Sequence, residues 1–192
     1  VGDASRKSRK RGFTGEYALT EDDVKALLER CAYPEDKALF TLGINGGIRR
    51  EDIVSIPLSG IDLEGGWVTF YEQKKKRTWK VPIGPATKVA LEAHIHTMPK
   101  SRWLFPSPYD PSKHLSGRAA YDRLQKWLAR AGLKSRPFHA LRSTCVKLCQ
   151  KRGWTVEQTM RLVGDTWRVI SEHYATPTAQ EMETVAKERA LI

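Results

Sequence analysis

Apolar positions recur at helical spacing through most of the chain, with one stretch where the period shortens to two. Thr20 followed by Glu21, Asp22 and Asp23 predicts a helix start, with a hydroxyl to cap it and carboxylates to offset its dipole. Val24, Leu27 and Leu28 then share one helical face. Pro34 suits the first residue of a second helix, which carries Ala38, Leu39 and Leu42 and breaks at Asn45-Gly46-Gly47. A short helix after Arg49 would hold Ile53, Val54 and Ile56. The period then changes. Trp67-Val68-Thr69-Phe70-Tyr71 and Thr78-Trp79-Lys80-Val81 are β-branched and aromatic, and the polar stretch Glu72 to Arg77 lies between them. This pattern predicts a β-hairpin with a lysine-rich tip. Helical spacing resumes from Pro85 to about Thr97, and again near Ser116 to Ala131 with Ala120, Leu124, Trp127 and Leu128 on the apolar side. Further helices are predicted over Phe138–Lys151, over Thr155–Val163, where Thr155 and Gln158 fit a capping box, and over Gln180–Ala190. No internal repeat is visible. The expected fold class is mainly α with a small antiparallel β-sheet, an α+β arrangement.

A chain of 192 residues suits one domain with a short extension and buries enough surface to fold without a disulfide or a metal. No run of 18 apolar residues is present, so no membrane span is expected. The basic N-terminus has no apolar stretch behind it and does not read as a secretory signal. Cys31, Cys145 and Cys149 are odd in number and widely spaced, which fits a reduced, cytoplasmic protein. Cys145 and Cys149 would share a helical face, and with no second metal-ligand pair they read as small core residues. His94 and His96 fall at the end of a helical pattern, where a surface or helix-end role is expected.

Charge changes the picture. The net charge is +11 and the isoelectric point is near 9.7, a surplus that points to a polyanion, most commonly nucleic acid. Basic residues cluster at Arg6-Lys7-Ser8-Arg9-Lys10-Arg11, an arm suited to a phosphate backbone, and at Lys74-Lys75-Lys76-Arg77 on the predicted hairpin. Cutting a DNA backbone without metal needs a nucleophile, cations to hold the non-bridging oxygens, and an acid for the departing 5′-oxygen. Arginine suits the clamp because its planar fork donates two hydrogen bonds and stays charged. Lysine suits the acid because its pKa can be lowered. Tyrosine can form a phosphodiester that conserves the energy of the broken bond. Taken singly, each such residue has a plain structural reading: a turn arginine, a solvated lysine tip, a surface His-x-x-Arg pair, a half-buried tyrosine.

Four segments in order carry a resemblance. Gly46-Gly47-Ile48-Arg49-Arg50-Glu51-Asp52-Ile53, the hairpin Glu72-Gln73-Lys74-Lys75-Lys76-Arg77 up to Val81-Pro82, Phe138-His139-Ala140-Leu141-Arg142, and Leu162-Val163-Gly164-Asp165 through His173-Tyr174 resemble the tyrosine recombinase, or phage integrase, family. The similarity covers roughly residues 18 to 190. It implies the catalytic-domain fold of that family. It also implies catalytic roles for Arg49, Lys74, His139, Arg142 and the nucleophile Tyr174, with Asp52 where the family usually has an acidic residue, and DNA binding by Lys75, Lys76 and Arg77. Residues 1–17 are expected to be a basic linker or arm, 18–177 the catalytic domain, and 178–192 a C-terminal tail helix, either exchanged between subunits or packed on its own domain.

The activity implied is site-specific recombination or integration: Tyr174 attacks a DNA phosphate to give a 3′-phosphotyrosyl link, Lys74 protonates the 5′-hydroxyl, and a partner strand reverses the step. The expected partner is double-stranded DNA, bound by a homo-tetramer, with no cofactor, metal, ATP, membrane or small-molecule substrate. The expected location is the cytoplasm, at the nucleoid, of a prokaryotic or virus-infected cell. The family's usual N-terminal DNA-encircling domain has no counterpart here, so a fragment with weak, strongly salt-dependent DNA affinity is expected. After Gly164 the family usually has histidine, with tryptophan or lysine in some members. Asp165 cannot donate a hydrogen bond when ionised, so it is read as an atypical site residue that orients a donor such as Arg142, or that takes a proton beside the phosphate. Two other functions stay open: a type IB topoisomerase-like enzyme that relaxes supercoils, and a DNA-binding module of the same fold without catalysis.

Overall fold

A computed structural model of the chain describes residues 14–173, together with Glu183 and Lys187, which are helical and exposed. Tyr174 and the rest of the expected tail helix, like most of the basic arm, lie outside the described residues.

The described residues form eight α-helices and one three-stranded sheet, so the expected α+β class is what the structure shows. The first helix, α1 (Glu21–Arg30), begins at Thr20, whose hydroxyl accepts from the Asp23 backbone N–H while the Asp23 carboxylate accepts from the Thr20 N–H. The second, α2 (Pro34–Gly46), is the central element, packed against three helices still to be described and against α3 (Arg50–Val54). Its Ala38, Leu39, Phe40, Leu42 and Ile44 are at most 2% exposed. A helix apolar on all sides belongs inside a fold, which is why it shows no amphipathic stripe. Near its start, buried Asp36 accepts hydrogen bonds from Trp127 Nε1 at 2.6 Å and Arg123 Nη1 at 3.1 Å, and so ties α2 to a later helix.

The sheet has the order β1 (Ile61–Asp62), β2 (Trp67–Glu72), β3 (Arg77–Pro82), antiparallel throughout. The two-residue β1 is too short to leave a periodic signal and was not anticipated. Along β2 the side chains alternate: Val68, Phe70 and Glu72 turn inward, while Trp67 and Tyr71 are exposed. Glu72 pairs with Arg77, and residues 73–76 make the tip, where Lys76 adopts φ +49°.

Four of the five remaining helices match the expected positions: α4 (Pro85–Thr97), α5 (Gly117–Arg130), α6 (Ala140–Lys151) and α7 (Val156–Val163), the last with the Thr155–Gln158 capping box formed. The short α8 (Trp167–His173) was not anticipated. His94 corrects the surface reading. It is 2% exposed, its Nε2–H donates to the Leu104 carbonyl at 2.7 Å, and its ring stacks on Phe105, while His96 is exposed. Cys31, Cys145 and Cys149 are free and buried in the core. No helix among the described residues is long and apolar enough to cross a membrane.

Candidate active site

Helix ends and the hairpin tip meet in one place. Helix α2 stops at Gly47, whose φ of +59° is a left-handed conformation that suits glycine. There is also no room for a side chain: a Cβ would stand 2.6 Å from Val163 Cγ1 and 3.2 Å from Cys145 Sγ. Two residues on, Arg49 is the extended N-cap of α3. Helix α7 stops in the same manner at Gly164, φ +69°, which places Asp165 immediately beyond. His139 caps α6, and Arg142 lies in its first turn.

These four segments converge. Arg49 donates from Nη1 to Glu72 and from Nη2 to Asp165 Oδ1 at 2.6 Å. Arg142, 2% exposed, donates to the Gly47 carbonyl, to the Val163 carbonyl at 2.6 Å and to Asp165 Oδ2. One carboxylate therefore bridges two guanidiniums that come from distant parts of the chain. Lys75 completes the ring, with its ammonium on the Gly164 carbonyl and 3.4 Å from Asp165 Oδ1.

Glu72 is the buried support. It is 2% exposed at a core-facing strand position, and a carboxylate buried there needs cationic partners. Arg49 supplies one and Arg77 Nε, at 2.8 Å, the other. Arg77 also stacks on Trp79 at 3.8 Å and donates to the Gly164 carbonyl at 3.2 Å. Asp52 is likewise buried and accepts from the Gln73 backbone N–H at 2.9 Å, which fixes the start of the tip.

Among the described residues, the sequence-predicted ones fall into three groups. Arg49, Arg142 and Asp165 are in direct contact. His139 is half-buried near both arginines. At the tip, Lys75 and Arg77 bond inward to Gly164, while Lys74 and Lys76 are exposed. Tyr174 is outside the described residues; the continuous described stretch ends at His173, one residue before it. Glu72 was not singled out from the sequence, although the alternation Val68, Phe70, Glu72 would have found it as an acidic residue on an apolar strand face.

Charge follows from this packing. Burial pushes the Asp165 carboxyl up, but the charge and hydrogen bond of Arg142, then Arg49 and Lys75, outweigh it and bring it down to about 2. Asp165 is ionised at neutral pH. Burial, then repulsion by Arg142 and Arg49, lowers the His139 imidazolium to about 4, against the pull of Asp165, with Lys74 adding to the repulsion. His139 is neutral at pH 7, the form in which an imidazole can act as a base or as a neutral hydrogen-bonding group. Burial also works against the Arg49 charge, but Asp165 and Glu72 more than offset it.

A cluster of clamped arginines, a neutral histidine and a lysine-bearing hairpin can hold a phosphodiester and manage protons at its oxygens. A model of the phage integrase family matches residues 18–181. The tyrosine recombinase XerA of Saccharolobus solfataricus is 28% identical over 147 residues, 77% of this chain and 47% of that protein. A crystal structure of XerA recombinase superposes with a TM-score of 0.79 at 16% identity, over 91% of this chain and 66% of that one. A structure of XerH site-specific recombinase bound to difH substrate in a pre-cleavage complex gives 0.70 at 16% identity, over 88% of this chain and 53% of that one. The chain thus spans between about half and two-thirds of the proteins it resembles.

Proposed function

Because the chain belongs to the phage integrase family, we propose that it cuts and rejoins DNA strands through a 3′-phosphotyrosyl intermediate, as the catalytic part of a site-specific recombinase or integrase. One observation carries this reading. Arg49 and Arg142, far apart in the chain, grip the two oxygens of a single carboxylate, which is how a pair of arginines would grip two non-bridging phosphate oxygens.

In this reading Tyr174 Oη attacks phosphorus, the bond from phosphorus to O5′ breaks, and Lys74 supplies the proton to the departing 5′-oxygen. His139, neutral at pH 7, takes the tyrosine proton or donates to the phosphate. A 5′-hydroxyl from a partner strand then attacks the phosphotyrosine, releasing Tyr174 and joining the strands. The tyrosyl ester keeps the bond energy, so the cycle needs no ATP, and the arginine clamp does the work a metal would do. Lys75, Lys76 and Arg77 contribute to the DNA-facing charge around the hairpin. The partner is double-stranded DNA, and the assembly is a homo-tetramer spanning two sites, inside a prokaryotic or virus-infected cell.

The test is a duplex nicked just past the cleavage point, carrying a site enriched from a random pool by binding, incubated in chelator. A shifted band on a denaturing gel that Tyr174→Phe abolishes supports the covalent chemistry. Binding without any such band favours a second reading, a DNA-binding module without catalysis. The observation on that side is Asp165, which already occupies donors that a phosphate would use.

A further inference from the structure

Asp165 stands directly after the left-handed Gly164 that ends α7, with its side chain 5% exposed. Its oxygens are divided. Oδ1 accepts from Arg49 Nη2 at 2.6 Å and faces Lys75 Nζ at 3.4 Å, and Oδ2 accepts from Arg142 Nη2. The other contacts of the same guanidiniums are with protein groups: Arg49 Nη1 holds Glu72, and Arg142 holds the Gly47 and Val163 carbonyls. Both Arg142 Nη2 hydrogens are taken, by Val163 and by Asp165, so a phosphate gripped jointly by Arg49 and Arg142 Nη2 must take N–H groups that Asp165 holds. Arg142 Nε is buried with no hydrogen-bond partner among the described residues. Asp165 is also strongly ionised, so a phosphate set beside it would be repelled rather than share the site.

We propose that Asp165 is a built-in occupant of the phosphate seat: an internal anion that keeps Arg49 and Arg142 aligned when DNA is absent and that the scissile phosphate must displace. This rests on the reading of the two arginines as a phosphate clamp. Exchange of one anion for another leaves little net gain at the seat itself. Free phosphate and other small anions are therefore rejected, and a phosphate enters only when contacts along a duplex deliver it. Asp165 thus sets selectivity for DNA-borne phosphate, and it does so through its charge.

The probe is inorganic sulfate, followed at the side-chain ¹H–¹⁵N signals of Arg49 and Arg142. Wild type should show no saturable response at concentrations that half-saturate Asp165→Asn, which should bind sulfate at least about tenfold more tightly once the competing charge is gone. Saturable sulfate binding by wild type that Arg49→Lys abolishes overturns the proposal. So does Asp165→Asn binding sulfate no better than wild type. Asp165→Ser takes the place of Asp165→Asn in the same comparison if the amide variant does not fold. On the nicked duplex, Asp165→Asn should lower the DNA concentration for half-maximal adduct formation. A lower rate at saturating DNA with that concentration unchanged overturns competition and leaves a positioning role. Sulfate behaviour as expected, in a wild type that forms no adduct, sinks the recombinase reading and keeps the occupied seat; the converse pattern rejects only the seat.

Discussion

Glu72 and Arg49 form an ion pair between the end of β2 and the start of α3, with the Glu72 side chain 2% exposed. The other Glu72 oxygen takes Arg77, so a single acid sets both an arginine of the site and the base of the hairpin tip. Breaking a buried pair from one side strands the remaining charge. Glu72→Ala should cost on the order of 3 kcal/mol, and Glu72→Gln less, because the amide can still accept one hydrogen bond. Urea unfolding with an unchanged slope would measure this. Equal stability of both variants and wild type would mean that Glu72 supports nothing. Adduct formation should also fall, since Arg49 loses the partner that fixes its Nη1.

Two pH windows should be separable. His139 has its folded pKa lowered to about 4 from 6.5, so the unfolded chain binds its proton first. Stability is therefore lost as pH falls from about 6.5 to 4, on the order of 1–2 kcal/mol after allowance for screening at a half-buried ring. Asp165 is also lowered, to about 2 from 3.8, but for a carboxylate the contribution is present above 3.8 and is lost as pH falls towards 2. His139→Gln should flatten the upper window, whereas Asp165→Asn should remove the lower one and, by withdrawing the charge that supports the imidazolium, deepen the upper one, as read from melting temperature against pH. A His139 variant with an unchanged upper limb would contradict this assignment.

Gly47 meets two constraints at once, a φ of +59° and a Cβ position 2.6 Å from Val163. Gly132 has only the first, with φ +71° and open space around it. Gly132→Ala should cost about 1 kcal/mol, the backbone penalty alone. Gly47→Ala should cost about 2–4 kcal/mol, adding the overlap with Val163. It should also weaken phosphate capture, because the Gly47 carbonyl is one of the anchors of Arg142. Equal losses at the two glycines would remove the steric part of the argument.

Lys74, if it is the acid, matters only for a leaving group that needs a proton. Lys74→Ala should slow adduct formation by about 10²–10⁴-fold on ordinary DNA. A 5′-bridging sulfur leaves as a thiolate and should restore most of that rate, while Arg49→Ala on the same substrate stays slow. Rescue of Lys75→Ala instead would transfer the role to the lysine that the structure directs towards Gly164 and Asp165.

What could be read from sequence was governed by where the information lies. Helix α5 shows its apolar side through Ala120, Leu124, Trp127 and Leu128 because that face alone is buried. The β2–β3 hairpin shows itself through a change of period. Pairs across the fold leave no such trace. Asp165 stands 116 residues from Arg49, and only the close approach of two helix ends makes one carboxylate serve two arginines. Glu72 looked like a tip residue because it is polar, although by alternation it belongs with Val68 and Phe70. Within the tip, four adjacent basic residues are equivalent in composition, and backbone geometry alone separates inward Lys75 and Arg77 from exposed Lys74 and Lys76. Tyr174 rests on its motif, as it lies beyond the described residues.

The carbonyl of Gly164 holds both Lys75 and Arg77. The hairpin is thereby tethered to the end of α7, and the chain runs on from there through α8 towards Tyr174. The tip and the start of the segment that leads to Tyr174 thus share one anchor point, the Gly164 carbonyl. In the proposed reading, with the hairpin set against DNA, load on the tip is carried through the Gly164 carbonyl to the root of the segment that leads to Tyr174.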